Sequence, residues 1–158
     1  MIRLNVGAGD KFIPGFVNID RHGNQDINSD AFPLPFPTDH ADELWAIHLL
    51  EHLPRRDASP VLTEWFRVLK PGGKLVLELP CLDKIARLIV KGEKNIRLTV
   101  MGIFGDPRDP KPDMMHQWCW SEAELTEALC SVGFERVTVC DPIFHIAARD
   151  MRIEGYKP

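Results

Sequence analysis

Glycines at 7 and 9, aspartates at 10, 20 and 30, and histidines at 48, 52 and 116 are the residues of this chain whose types and spacing could do chemistry. Gly7-Ala8-Gly9 lets a ligand approach the backbone, because no Cβ stands in the way at either glycine. A dinucleotide would ask for a third glycine where Phe12 stands, and Asp10 would set negative charge against its pyrophosphate. The sequence holds no G-x-x-x-x-G-K-[ST] run for a P-loop either. Carboxylates suit a different partner: Asp20 can accept two ribose hydroxyl protons, Asp30 an adenine amino proton and Asp10 an ammonium group. The set fits a cationic, adenosine-bearing ligand without phosphate. Imidazoles titrate near about pH 6.5, so His48, His52 and His116 are candidates to take a proton from a hydroxyl or amine at neutral pH. A histidine at a helix start is more often held by a backbone carbonyl, and Glu51 reads as an orienting partner rather than a base.

The elements that must position these residues follow from apolar patterning. Ile2, Leu4 and Val6 alternate with polar residues up to the Gly7 turn, and a second strand runs through Phe16, Val17 and Ile19 to Asp20. A third extended piece covers 25–30, and prolines 33, 35 and 37 forbid a helix after it. Residues 43–47 form a fourth strand ending at His48. A helix follows with Ser59 as its cap, Pro60 in its first position and an apolar stripe of Val61, Leu62, Trp65, Phe66 and Leu69. Lys70-Pro71-Gly72-Gly73 stops it ahead of a buried strand over 74–79. Residues 82–91 read as an amphipathic helix, and Ser121 with Glu124 makes a capping box for a last helix that Gly133 ends in a left-handed turn. Strands near 134–140 and 143–153 close the chain. Strands interleaved with helices imply a mainly parallel sheet covered on both faces, with ligands beyond the strand C-termini. The irregular stretch 92–120, and with it the segment 81–120, is expected to act as a lid.

At 158 residues, 44% apolar and 27% charged, the chain reads as one globular domain over 1–158. Its formal charge of -4 argues against a surface for a nucleic-acid backbone. The four cysteines show no C-x-x-C pair and no histidine at zinc-ligand spacing, so they read as reduced thiols and not as a metal site. No apolar run approaches the ~20 residues of a membrane span, and the opening residues carry no signal-peptide pattern, so the expected location is cytoplasmic, without membrane partners. Arg87, Lys91, Lys94, Arg97, Arg108 and Lys111 concentrate positive charge that would attract an anionic glycan or nucleotide-linked acceptor.

Taken together these motifs resemble those of the class I S-adenosylmethionine-dependent methyltransferases, over nearly the whole chain. Leu4-Asn5-Val6-Gly7-Ala8-Gly9 looks like the family's first motif and Gly15-Phe16-Val17-Asn18-Ile19-Asp20 like its acidic second-strand end. Asp30-Ala31 with Leu34-Pro35-Phe36 looks like the adenine-side motif, Leu50-Glu51-His52-Leu53 like the segment after strand four, and Leu69-Lys70-Pro71-Gly72-Gly73 like the turn before strand five. Within the family, His116-x-Trp118 and Ser121-x-x-Glu124-Leu125 are similar to small methyltransferases found with polysaccharide and glycosyltransferase functions. The resemblance implies a Rossmann-like, doubly wound, mainly parallel sheet with an antiparallel C-terminal strand. It implies S-adenosylmethionine as cofactor, contacted by Asn5, Gly7, Ala8, Gly9, Asp10, Asp20, Arg21, Asp30, Ala31 and His48. The reaction implied is methyl transfer to a small-molecule acceptor such as a sugar hydroxyl or amine, and the activated sulfonium demands no metal. Only residues 7–15 join the first two strands, too few for the usual crossover helix of about a dozen residues or more. That shortened first crossover leaves open a non-catalytic cofactor-binding or structural protein, as a homodimer or a partner subunit. A nucleic-acid methyltransferase is disfavoured, because Ile47-His48-Leu49-Leu50 stands where an Asn/Asp-Pro-Pro-aromatic motif would follow strand four.

Overall fold

The computed structural model describes residues 1–9, 11–23, 25–109, 111 and 114–158. β1 (Arg3–Val6) lies between β2 (Val17–Asp20) and β4 (Ala41–Ile47), parallel to both, with Val6 opposite Ile19 on one side and Ala46 on the other. β3 (Ile27–Asn28) extends the sheet beyond β2, and β5 (Leu69–Pro80) runs parallel to β4 on the opposite side. β7 (Asp150–Tyr156) is antiparallel to β5, and β6 (Glu135–Cys140) pairs with β7 as the outer strand. The order β3-β2-β1-β4-β5-β7-β6 is the Rossmann-like sheet expected, with one antiparallel strand near its C-terminal end. Five parallel strands bring their C-termini to a single edge, and the order reverses beside β1, where such sheets hold ligands.

α1 (Ala58–Val68) buries Val61, Leu62, Trp65 and Val68 against Leu4, Val6, Leu44 and Ala46, and α4 (Glu122–Val132) lies beside it with Leu125 and Leu129 inward. α2 (Leu82–Val90) and the short α3 (Val100–Phe104) pack on each other, with Gly102 so close to Ile85 that a Cβ there would sit 2.7 Å from its Cδ1. Ser59 does not cap α1: the helix begins at Ala58, no side chain caps it, and Ser59 lies in its first turn. Pro60 is tolerated there because first-turn amides have no helical acceptor. Ser121 does cap α4, its Oγ accepting from Glu124 N at 3.1 Å, and Gly133 takes φ 115. The other half of the capping box is diverted, since the Glu124 carboxylate accepts from Arg55 Nε at 2.6 Å and from Trp118 Nε1 at 3.0 Å.

No helix joins β1 to β2, nor any pair of strands up to β4, among the described residues. Loop aromatics cover that part of the sheet instead. Trp45, on the face of β4 opposite to Leu44 and Ala46, meets Phe16 and Phe144 edge-on at centroid distances of 5.0 and 6.0 Å. β3 is shorter than the extended stretch 25–30 because Asp26 takes the ladder's place: its carboxylate accepts from Asn18 N at 2.8 Å.

The proline-rich stretch after β3 is held by one carboxylate. Leu34 is buried, and Glu64 Oε1 accepts its amide at 2.9 Å. Arg67 grips the same carboxylate through Nη2 and Nε at 2.7 and 2.8 Å and donates to Phe36 O at 2.8 Å. The Arg67 hydrogen bonds, opposed by burial and aided by the Leu34 amide, hold the Glu64 carboxyl below its ordinary value. A depressed folded pKa means that this stabilisation is complete above the ordinary carboxylate value and is lost as pH falls through the folded one. Glu64→Leu is therefore expected to lower the unfolding free energy by about 2–3 kcal/mol in urea titrations at neutral pH, with the gap to the wild type narrowing in acid.

Candidate functional site

At the tip of β1, Gly7 N and Ala8 N both donate to Ile19 O, at 2.9 and 3.0 Å, which folds the turn against β2. Gly7 takes φ +71 and a Cβ there would fall 2.7 Å from Leu49, whereas Gly9, at φ +52, has open space on its Cβ side. Asp20 Oδ2 accepts from Gly9 N and its Oδ1 from His22 N, both at 2.9 Å, so one carboxylate ties the tips of β1 and β2 and keeps a further lone pair on each oxygen. Asp30 Oδ1 lies 3.9 Å from Arg21 Nη1, both side chains exposed. Ala31 O accepts from the Trp65 indole at 3.0 Å. Asn5 is buried beneath the turn, donating to Asn18 Oδ1 and Lys11 O, and so shapes the loop over 11–13 from below. Asp10 lies outside the described residues. An open glycine, a carboxylate with spare acceptor capacity and a second carboxylate nearby fit the ribose and amino groups of a nucleoside.

One strand over, His48 ends β4 in the left-handed region, at φ 52, a conformation that non-glycine residues take at some cost. Its amide donates to Glu78 O at 2.7 Å, and its Nδ1 lies 3.1 Å from Glu51 Oε1. The helical turn Leu50–His52 carries Glu51 inward to 1% exposure and His52 beside it. His116 arrives from the chain after α3. Gln117 N and Trp118 N both donate to Glu51 O, at 2.7 and 3.2 Å, and His116 Nδ1 faces Gly102 O at 3.1 Å. The His52 and His116 rings meet edge-on at 4.9 Å. The three candidate histidines, far apart in sequence, thus converge on one buried carboxylate. Burial alone would push the Glu51 carboxyl up; the charge and hydrogen bonding of His48, with His52 and His116, outweigh it and hold it below its ordinary value. Burial pushes His116 down, which favours its neutral imidazole.

Residues outside the sequence-derived set complete the site. Glu78 of β5 is fully buried and accepts from Ile143 N at 2.7 Å, Phe144 N at 3.0 Å and His145 Nδ1 at 2.9 Å. His145 stacks on His48 at 3.8 Å, and its Nε2 lies 3.1 Å from Lys11 Nζ. A strand over 143–153 was expected; β7 begins only at Asp150 because Glu78 and Asp150 capture the amides of 143, 144 and 146 that a ladder would need. The signal was a lone glutamate inside the apolar run Leu75-Val76-Leu77-Glu78-Leu79, where a charge requires a built set of donors. Of the two tryptophans beside His116, Trp120 is fully buried core and Trp118 lies at the surface. Glu78→Gln is expected to speed hydrogen exchange of the Ile143 and Phe144 amides about ten- to hundredfold while β4 amides keep their protection.

The architecture and this edge define a Rossmann-like domain with a nucleoside-compatible tip beside an imidazole cluster. Residues 14–77 match the family model described as a methyltransferase domain. A stretch of 68 residues is 40% identical to Methyltransferase GfsG of Streptomyces halstedii, covering 40% of this chain and 24% of that protein. Another of 49 residues is 43% identical to 27-O-demethylrifamycin SV methyltransferase of Amycolatopsis mediterranei, covering 31% and 17%. The chain therefore aligns with about a quarter or less of these two relatives' lengths. Among solved structures, an S-adenosylmethionine-dependent methyltransferase from Archaeoglobus fulgidus superposes with a TM-score of 0.70 at 16% identity, over 98% of this chain and 85% of that one. This chain is similar to methyltransferases over the matched stretches and shares the Rossmann-like fold of solved S-adenosylmethionine-dependent ones, and S-adenosylmethionine is the cofactor that the likeness implies.

Proposed function

We propose that this chain transfers a methyl group from S-adenosylmethionine to a hydroxyl or amine of a small molecule, with a sugar or glycan precursor as the acceptor class. The observation that carries the reading is the adjacency, on one sheet edge, of the Gly7–Asp20 tip and the His48–Glu51 pair. When bound, the cofactor supplies an already activated methyl group. The Gly7, Ala8 and Gly9 backbone with Asp20 and Asp30 would hold its nucleoside, and Arg21 would steady Asp30. Glu51 beside Nδ1 sets the His48 tautomer with its lone pair on Nε2, an atom 3.9 Å from Asp150 Oδ2 and without a hydrogen-bond partner among the described residues. That nitrogen can take the acceptor's proton, with positioning contributing up to roughly 7–11 kcal/mol to the transfer.

The relative named for 27-O-demethylrifamycin SV supports a small acceptor. A cavity of about 360 Å³ beside α2 is lined by Lys84, Arg87, Lys91 and Asp141; Asp141 pairs with Lys84 at 3.7 Å, and the remaining positive charge of Arg87 and Lys91 supports an anionic one. Arg108 is set apart from this basic group, since it holds the Asp106 carboxyl at about 2 and is itself neutralised. The helix-free first crossover favours a second reading, a cofactor-binding partner protein without turnover. Calorimetry and a labelled-methyl assay across nucleotide sugars separate the two. The wild type should bind the cofactor and label an acceptor, and Asp20→Ala should lose binding with its fold retained. Unchanged affinity in that variant overturns the cofactor assignment; binding without labelling favours the partner-protein reading.

A further inference from the structure

Glu51 is a carboxylate at 1% exposure whose Oε1 faces His48 Nδ1 at 3.1 Å and whose Oε2 lacks a hydrogen-bond donor among the described residues. His52 Nδ1, beside it, is likewise buried and unpartnered. Buried polar atoms are almost always satisfied, so two neighbouring residues left open in one place point to a missing ligand. His116 completes the set. With Nδ1 directed at Gly102 O, its Nε2 is the nitrogen left with a lone pair, the arrangement by which an outer carbonyl fixes the tautomer of a metal-binding imidazole. One donor atom from each of Glu51, His52 and His116 lies within 4.8 Å of the others.

We propose that Glu51, His52 and His116 form a binding site for one divalent transition-metal ion of the zinc type, held by a carboxylate oxygen and two imidazole nitrogens. Two imidazoles with a single carboxylate suit such an ion better than calcium or magnesium, which take oxygen ligands. The backbone is built to hold the three in place. Gln117 and Trp118 amides pin the His116 segment to the carbonyl of Glu51 itself, and at Gly105 a Cβ would fall 2.8 Å from Met114 O, so the return of the chain after α3 is close-packed. A second cluster, Cys81 with Asp83 and Glu122, does not match it. There Asp83 Oδ2 already accepts from Glu122 N at 2.8 Å, and burial pushes the Cys81 thiol away from the thiolate a metal needs. Three protein ligands leave a position for an outside oxygen. That this oxygen is the methyl acceptor's rests on the function proposed above; binding of the ion does not.

The test uses chelator-treated protein without cofactor, titrated with zinc by calorimetry and with cobalt by its visible absorption. The expected result is saturation at one ion per chain. His52→Gln and His116→Gln should each weaken binding by about a hundredfold or more, beyond the 10–100-fold typical of an outer partner. Cys81→Ser and Asp20→Ala should bind like the wild type, so failure of the ion site and failure of the cofactor site are read separately. No saturable binding by the wild type, equal affinity in the histidine variants, or loss of binding in Cys81→Ser overturns the proposal. Should His116→Gln lose its circular-dichroism signature, His52→Gln decides, because among the described residues the His52 side chain tethers no backbone group.

Discussion

Three carboxylates taken out of water at the C-terminal edge of the sheet, Glu51, Glu78 and Asp150, dictate how the chain is arranged there. A buried charge is tolerated only where positive charge or hydrogen-bond donors replace the lost hydration. Glu78 gathers two amides and an imidazole from the loop before β7. Asp150 gathers Ile146 N at 2.9 Å and the Arg149 guanidinium at 2.6 and 2.9 Å. Glu51 gathers imidazoles alone. Two loops that apolar packing would leave unspecified are drawn across the strand ends by these demands, and the histidines arrive with them.

The edge divides into two chemistries on neighbouring strands. Around β1 and β2 the acceptors are exposed and the backbone is open, which suits a polar nucleoside reached from solvent. Around β4 and β5 the acceptors are buried and the side chains facing them are imidazoles. Lys11 and His145, 3.1 Å apart, bridge the halves, so the loop after β1 and the loop before β7 touch at the side-chain level.

Much of this could be read from residue order. The strand tips, the missing crossover helix, the Ser121 cap and the Gly133 turn rest on local rules of spacing and backbone freedom, and those survive folding. The convergence of His48, His52 and His116 could not, because it depends on backbone hydrogen bonds from 117 and 118 to Glu51, across a stretch of irregular chain. Alternation of apolar residues also misleads where side chains capture amides. Ile143, Phe144 and Ile146 look like a strand and are held as a loop, and residues 25 and 26 yield their ladder to Asp26. Ser59 failed as a cap because α1 begins one residue ahead of it.

The position of β7 also constrains the order of assembly. Among the described residues β6 pairs with β7 and with no other strand, and β7 follows it in the chain. β6 thus joins the sheet only through β7, whose pairing with β5 links residues seventy or more positions apart. Long-range closure of this kind is slow relative to local hairpins and helices. During synthesis the half containing β1, β4 and β5 can form first, while residues 135–140 wait, unpaired, for the strand that emerges after them.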